Sequence, residues 1–152
     1  IDEPVYQLRD TYHLPGMRVL QFAFGGKISE SIHIPFHHAV NSIVYTGTHD
    51  NNTLLGWFKQ DANALSRKNL NRYFGTKVNR QNVIPLIIQA TYASVAKISI
   101  VPMQDLLALD SSARFNTPSK ASGNWLWKLR SVDLNNELCT RLNNWATIYG
   151  RL

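Results

Sequence analysis

Apolar runs and polar interruptions alternate along the chain so that helices and strands are predicted to take turns. "DEPVYQLRDTYHLPG" (2–16) opens with two acidic residues and Pro4, suited to a first helical turn. It sets Val5, Leu8 and Tyr12 on one face before Pro15-Gly16 stops it. "MRVLQFAF" (17–24) reads as a buried strand bounded by Gly25-Gly26, and residues 25–41 are too polar and interrupted for anything but a long functional loop. "SIVYTGT" (42–48) is the second strand. From Thr53 the pattern turns helical through "LLGWFKQ", and a further helix is predicted around 61–74. "VIPLIIQATYASVA" (83–96) is apolar on several sides, as a buried helix must be, with Pro85 in its first turn. "ISIV" (98–101) is the third strand and runs into a polar turn at Gln104-Asp105. A loop rich in Ser, Thr, Pro and Gly (110–129) precedes a last helix carrying Leu134, Leu138, Leu142, Trp145 and Ile148 at helical spacing, with Asp133 as its N-cap.

Continuously apolar strands that alternate with helices predict an α/β fold, with parallel pairing and both faces covered. Three strands alone leave open edges, so the runs fit a barrel or a wider sheet better than a free-standing domain. At 152 residues, with 44% hydrophobic and 17% charged, the composition is globular and excludes disorder. No internal repeat or linker divides it, so residues 1–152 are expected to form one piece with no separate second domain. No run of 18 apolar residues exists, which argues against a membrane-spanning helix. "IDEPVYQLRD" has neither the basic nor the apolar stretch of a signal peptide, and the single Cys139 cannot form an internal disulfide. A cytoplasmic setting is the expectation, and a start at Ile1 fits a piece of a longer chain. The net charge of +6 raises nucleic acid as a partner. Yet the densest basic stretch, "RKNLNRYFGTKVNR" (67–80), has Leu70 and Phe74 continuing a helical apolar spacing from Leu65. It reads as a solvated helix face, and no nucleic-acid partner is expected.

Parallel α/β folds carry their working residues at the C-terminal ends of strands. There the chain places Gln21, Phe22 and Phe24 after the first strand, His49-Asp50 after the second, and Gln104-Asp105 after the third. Aromatic rings that stack on sugar faces, beside carboxylates and amides that bond hydroxyls, suit a carbohydrate site. "HDNN" (49–52) is equally the composition of a simple turn. The clustered His33, His37 and His38 raise a metal site, but no pair has the helical spacing beside a Glu that a zinc protease needs, and Pro35 interrupts the one i, i+4 pair. No metal is expected. No G-x-S-x-G motif occurs, and Cys139 falls in a helical pattern, so nucleophilic Ser or Cys chemistry has no support.

"LPGMRVLQFAF", "NSIVYTGTHDNNTLLGW", "PMQDLLALDSSARFNTP" and "GNWLWKL" together resemble, in that order, the C-terminal part of the amylomaltases, the 4-α-glucanotransferases or disproportionating enzymes. The resemblance covers nearly the whole chain. It implies a (β/α)₈ barrel of which this chain is the C-terminal portion, about three strands and their helices, completed by the missing N-terminal part of the same barrel. It implies a retaining transfer of α-1,4-glucan segments between maltooligosaccharides, in which one carboxylate attacks the anomeric carbon and a second handles the proton. A third, in the His-Asp pair after the seventh strand, stabilises the oxocarbenium-like transition state. Asp50 matches that third acid and His49 its hydroxyl-binding neighbour. Phe22 matches an acceptor-side stacking platform, Asn116 is a candidate sugar contact, and Trp125 and Trp127 are expected to pack the barrel's closing layer. No metal or organic cofactor is implied.

The motifs of the nucleophile and of the acid/base do not occur in these residues, so the chain by itself is expected to be inactive. Asp2, Glu3 and Asp10 belong to a helix pattern and match neither motif. "PFHH" (35–38) stands where many relatives have Pro-His-Asn, leaving His37 or His38 to replace the sugar contact of that histidine. A non-catalytic glucan-binding or scaffold module that keeps the same rim is the alternative reading.

Overall fold

The computed structural model describes residues 2–152. Its frame is a sheet of three parallel strands, β1 (Gly16–Val19), β2 (Ser42–Tyr45) and β3 (Ile98–Ile100), in the order β1-β2-β3. Helices α1 (Glu3–Thr11), α2 (Leu54–Gly56), α3 (Ala64–Phe74), α4 (Val83–Tyr92), α5 (Met103–Leu106) and α6 (Asn136–Ile148) precede and follow the strands. The alternation predicted from the sequence is therefore present, and the strands are parallel as their continuous apolar character requires.

The strands are shorter than their apolar runs. Pairing of β1 stops at Val19, and a 3-10 turn takes over at Leu20–Phe22, after Gln21 N donates one last bond to Thr46 O at 3.3 Å. Leu20, Ala23 and Phe24 are fully buried all the same, because loops and helices cover them rather than a neighbouring strand. The turn at 104–105 is a short helix, α5, and the loop at 25–41 contains 3-10 turns at Ile28–Glu30 and Pro35–His37. Asp133 does not cap α6. Its carboxylate accepts from the Arg130 guanidinium and backbone, and the adjacent Asn135 caps instead, accepting from Leu138 N at 2.9 Å.

The core lies on one face of the sheet. Val44 of β2 packs there with Leu54, Trp57 and Phe58 from α2 and the π-helical turn Trp57–Asp61 that extends it, with Leu70 of α3, and with Ile87 and Ile88 of α4. Arg67 satisfies the carbonyls that the π turn leaves open, donating to Phe58 O and Ala62 O while its guanidinium lies 4.4 Å over the Phe58 ring. Lys68, Arg72, Lys77 and Arg80 are exposed, with Leu70 buried beneath the same stretch.

The other face is different. Met17, Ile43 and Ile98 stand opposite one another across the three strands, with Tyr45 and Ile100 one pleat further on. Met17 is 55%, Ile98 44% and Ile100 40% exposed, while Val19 opposite Tyr45 is buried, so this face is apolar and open except at Val19. Helix α1 likewise leaves Val5, Leu8 and Tyr12 exposed and buries none of its residues.

Candidate active site

The segment from Thr46 to Leu54 leaves the C-terminal end of β2 and enters α2, and it is fastened by parts of the chain far away in sequence. Asp105 of α5 accepts from Thr46 Oγ1 at 2.5 Å and from Leu54 N at 2.7 Å. Gln21 Nε2, at the end of β1, donates to Asn52 O at 2.9 Å. Arg114 donates to Asp50 O at 2.7 Å, and Asn116 N donates to His49 O at 3.2 Å. Within the loop, Asn51 Oδ1 accepts from both the amide and the hydroxyl of Thr48. Gly47 is a necessity of close approach here, because a Cβ at that position would stand 2.5 Å from Gln21 Nε2.

What the loop presents is His49 and Asp50, each about half exposed, with His49 Nε2 3.5 Å from Asp50 Oδ1. Asn116 Nδ2 donates to that same Oδ1 at 2.5 Å. Asp50 Oδ2 accepts no hydrogen bond from the described residues. The pair opens on a cavity of about 450 Å³ whose floor is the apolar sheet face, through Met17, Tyr45 and Ile100, and whose wall includes Arg114. A carboxylate held by an amide with an imidazole beside it, over an apolar and aromatic floor, can bond hydroxyls of a bound sugar and answer positive charge developing beside it.

The structure separates the other candidates. Asn116 joins Asp50 directly. Phe22 is exposed, rests edge-on against His33 at 5.5 Å, and does not line the cavity. Gln21 and Phe24, expected at the rim, are buried instead. Gln104 and Asp105 are buried in the cavity wall, since α5 folds them under the loop. His38 is also buried: its Nε2 donates to His33 O at 2.9 Å and its Nδ1 accepts from Ser94 Oγ at 2.6 Å. Burial holds this imidazole below its ordinary pKa, in keeping with a neutral ring whose two nitrogens are both occupied. His37 is exposed, with Nδ1 3.0 Å from Ser31 O.

Two neighbours of the His-Asp pair were not placed there by the sequence. Trp125, expected in the barrel's closing layer, lies beside His49. It is 60% exposed, its ring 5.3 Å from that of His49 and 5.9 Å from Phe115, with Trp127 set edge-on to Phe115 at 5.6 Å. Its φ of +62° is one that bulky residues avoid, and the bond from Trp125 N to Phe115 O at 2.7 Å helps hold it there. Arg114 is the other, acting through a backbone carbonyl, which no side-chain pattern announces.

Burial pushes the Asp105 carboxyl up to about 6, against the opposing pull of its two hydrogen bonds. The folded protein thus holds this proton more tightly than the unfolded chain does. The contribution to stability is full below the ordinary carboxylate pKa and is lost as pH rises through about 6, by on the order of 3 kcal/mol. Denaturation of the complete enzyme carrying this chain is expected to show Asp105→Asn gaining on the wild type between pH 4 and 7. A stability difference that does not change with pH would show that the proton is not held.

A family model described as 4-alpha-glucanotransferase matches residues 1–135. The chain belongs to the 4-alpha-glucanotransferase family. It is 41% identical to the chloroplastic/amyloplastic 4-alpha-glucanotransferase of Arabidopsis thaliana over 155 residues, covering 100% of this chain and 26% of that one. With the 4-alpha-glucanotransferase of Streptococcus pneumoniae the identity is 39% over 150 residues, 99% of this chain and 29% of the relative. The amylomaltase from Streptococcus agalactiae, solved in complex with acarbose, superposes with a TM-score of 0.91 at 32% identity, over 99% of this chain and 30% of that one. The chain thus spans less than a third of the length of these family members. Among the described residues no helix is long and apolar enough to cross a membrane.

Proposed function

We propose that this chain supplies the C-terminal portion of the catalytic (β/α)₈ barrel of a 4-α-glucanotransferase, and with it one of the enzyme's three working carboxylates. The observation that carries the reading is the cluster at the end of β2, where Asn116 and His49 both meet Asp50 Oδ1, Oδ2 has no partner among the described residues, and His49 and Asp50 both line the cavity. The open apolar sheet face and the uncovered face of α1 support completion by further strands and helices, as does the greater length of the relatives. Acarbose bound to the structural relative supports an α-glucan as the ligand.

In the reaction so assigned, a carboxylate elsewhere in the barrel attacks the anomeric carbon of the donor sugar, and the bond to the leaving 4-oxygen breaks as an acid delivers a proton to it. The resulting glycosyl ester is then attacked by the 4-hydroxyl of a second glucan, whose proton returns to the same residue. Positive charge grows on the anomeric carbon and ring oxygen in both steps. Asp50 answers that charge, while His49 binds donor hydroxyls. Asn116 orients Asp50 and contacts the sugar. Phe22 serves the acceptor side as a stacking platform outside this cavity. The chemistry requires no metal or organic cofactor.

The test is the complete enzyme carrying this chain, incubated with maltotriose. Glucose and a ladder of longer maltooligosaccharides are expected. Glucan binding without any ladder would make it a binding module instead.

A further inference from the structure

From the placement of Asp105 we propose, resting on the transferase reading above, that this residue is a positioning residue for transfer, clamping both ends of the loop that carries His49 and Asp50. Its two oxygens take different ends of one segment. Oδ2 accepts from the hydroxyl of Thr46, the residue just past β2, and Oδ1 accepts from the amide of Leu54, the first residue of α2. Everything between, including the His-Asp pair, is a loop whose two ends are fixed to a single carboxylate.

The clamp is itself held. Asp105 is 1% exposed and lies in α5, which follows β3, so it ties the exit of one strand to the exit of its neighbour. Arg141 of α6 donates to Leu106 O at 2.7 Å and anchors α5 from behind. A buried carboxylate is costly unless its oxygens are hydrogen-bonded, and here both are. What an apolar residue cannot do is accept from a hydroxyl and an amide at once and so hold them at a fixed spacing. Transfer is sensitive to that spacing, because a misplacement of about 1 Å at a reacting group can cost on the order of 10²-fold in rate.

The clamp depends on hydrogen-bond geometry and not on charge. In Asp105→Asn the amide oxygen still accepts from Leu54 N, and the amide nitrogen donates to Thr46 Oγ1, whose hydroxyl turns to receive it. Asp105→Ala leaves both partners unpaired. Thr46→Val removes one arm with little change of shape, and serves where the alanine variant folds poorly.

The experiment measures kcat and KM with maltotriose per folded molecule of the complete enzyme, for these variants alone and combined with Asp50→Asn, together with hydrogen exchange of the amides from 47 to 54. Asp105→Ala is expected to lower kcat by about 10–10²-fold with KM within about threefold, and Thr46→Val to lower it by less. Asp105→Asn should stay within about threefold of wild type, since both bonds are kept. Added to Asp50→Asn, the alanine variant should cost clearly less than it does alone, because one of the two groups it positions is already lost. Exchange in the loop should rise by about tenfold or more in Asp105→Ala and not in Asp105→Asn. Equal losses in both backgrounds, or a loss explained entirely by a smaller folded fraction, would overturn the clamp. So would an active enzyme whose loop and kcat are undisturbed by Asp105→Ala. A wild type that makes no ladder, yet whose loop loosens in Asp105→Ala, would sink the transferase reading and leave the clamp in place.

Discussion

The 152 residues by themselves are expected to transfer nothing between maltooligosaccharides and to associate or precipitate in place of behaving as a monomer. Both results follow from the same incompleteness. A retaining transfer needs a nucleophile and an acid/base, and the family motifs that hold them do not occur in this sequence. In the proposed reaction Asp50 would answer charge that only those two groups generate. On the structural side, β1 and β3 each have one neighbour and one free edge, and Met17, Ile98 and Ile100 expose an apolar face. Free edges next to β-branched residues of low charge template further pairing, and among the described residues Met17, Ile98 and Ile100 of this face stay exposed. Purified chain, free of host enzyme, should give no products from maltotriose above background. Sedimentation should show species larger than a monomer. A ladder of products would reassign the chemistry to these residues. A soluble monomer unfolding in one cooperative step would show that the three strands are self-sufficient, and the barrel reading would have to go.

The order of elements was legible because it rests on periodicity, which burial imposes and tertiary contacts rarely reverse. Helix α4 shows this well: apolar on several sides, it buries Val83, Ile84, Ile87 and Ile88. Strand ends were less legible. "VLQFAF" stays apolar past Val19 because Leu20, Ala23 and Phe24 are buried by loops and helices, and hydrophobicity does not distinguish such burial from pairing in a sheet. Capping failed for a local reason, since Asp133 and Asn135 are both good caps and Arg130 had already engaged the first.

The candidate site divides in the same manner. His49 and Asp50 stand out because a strand delivers two polar groups to its end, and Asn116 proves to be bonded to one of them. Asp105 had been placed at the rim by its position after a strand, but a short helix turns it inward, and only the fold shows it bonded at both ends of the loop. Trp125 shares the fate of Arg114: its place beside His49 comes from a backbone conformation and a neighbour 76 positions away, neither of which has a signature in residue type.

Whether Asp50 stabilises the transition state is decided by the transfer rate of Asp50→Asn in the complete enzyme. Asparagine keeps the shape of the side chain and a carbonyl oxygen to accept from Asn116 Nδ2, so the loop should stay in place. The negative charge is what disappears. Since it acts only as positive charge develops on the sugar, the loss should fall mainly on kcat and much less on KM. Removing one preorganised electrostatic group of this kind typically costs on the order of 10²–10³-fold. The measurement is the rate of glucose release and ladder growth from maltotriose, per folded molecule, for wild type and variant side by side. A fall of about 10²–10³ in kcat is the result expected. A variant within about threefold of wild type, a change too small for a lost transition-state charge, would remove Asp50 from the chemistry and contradict the account.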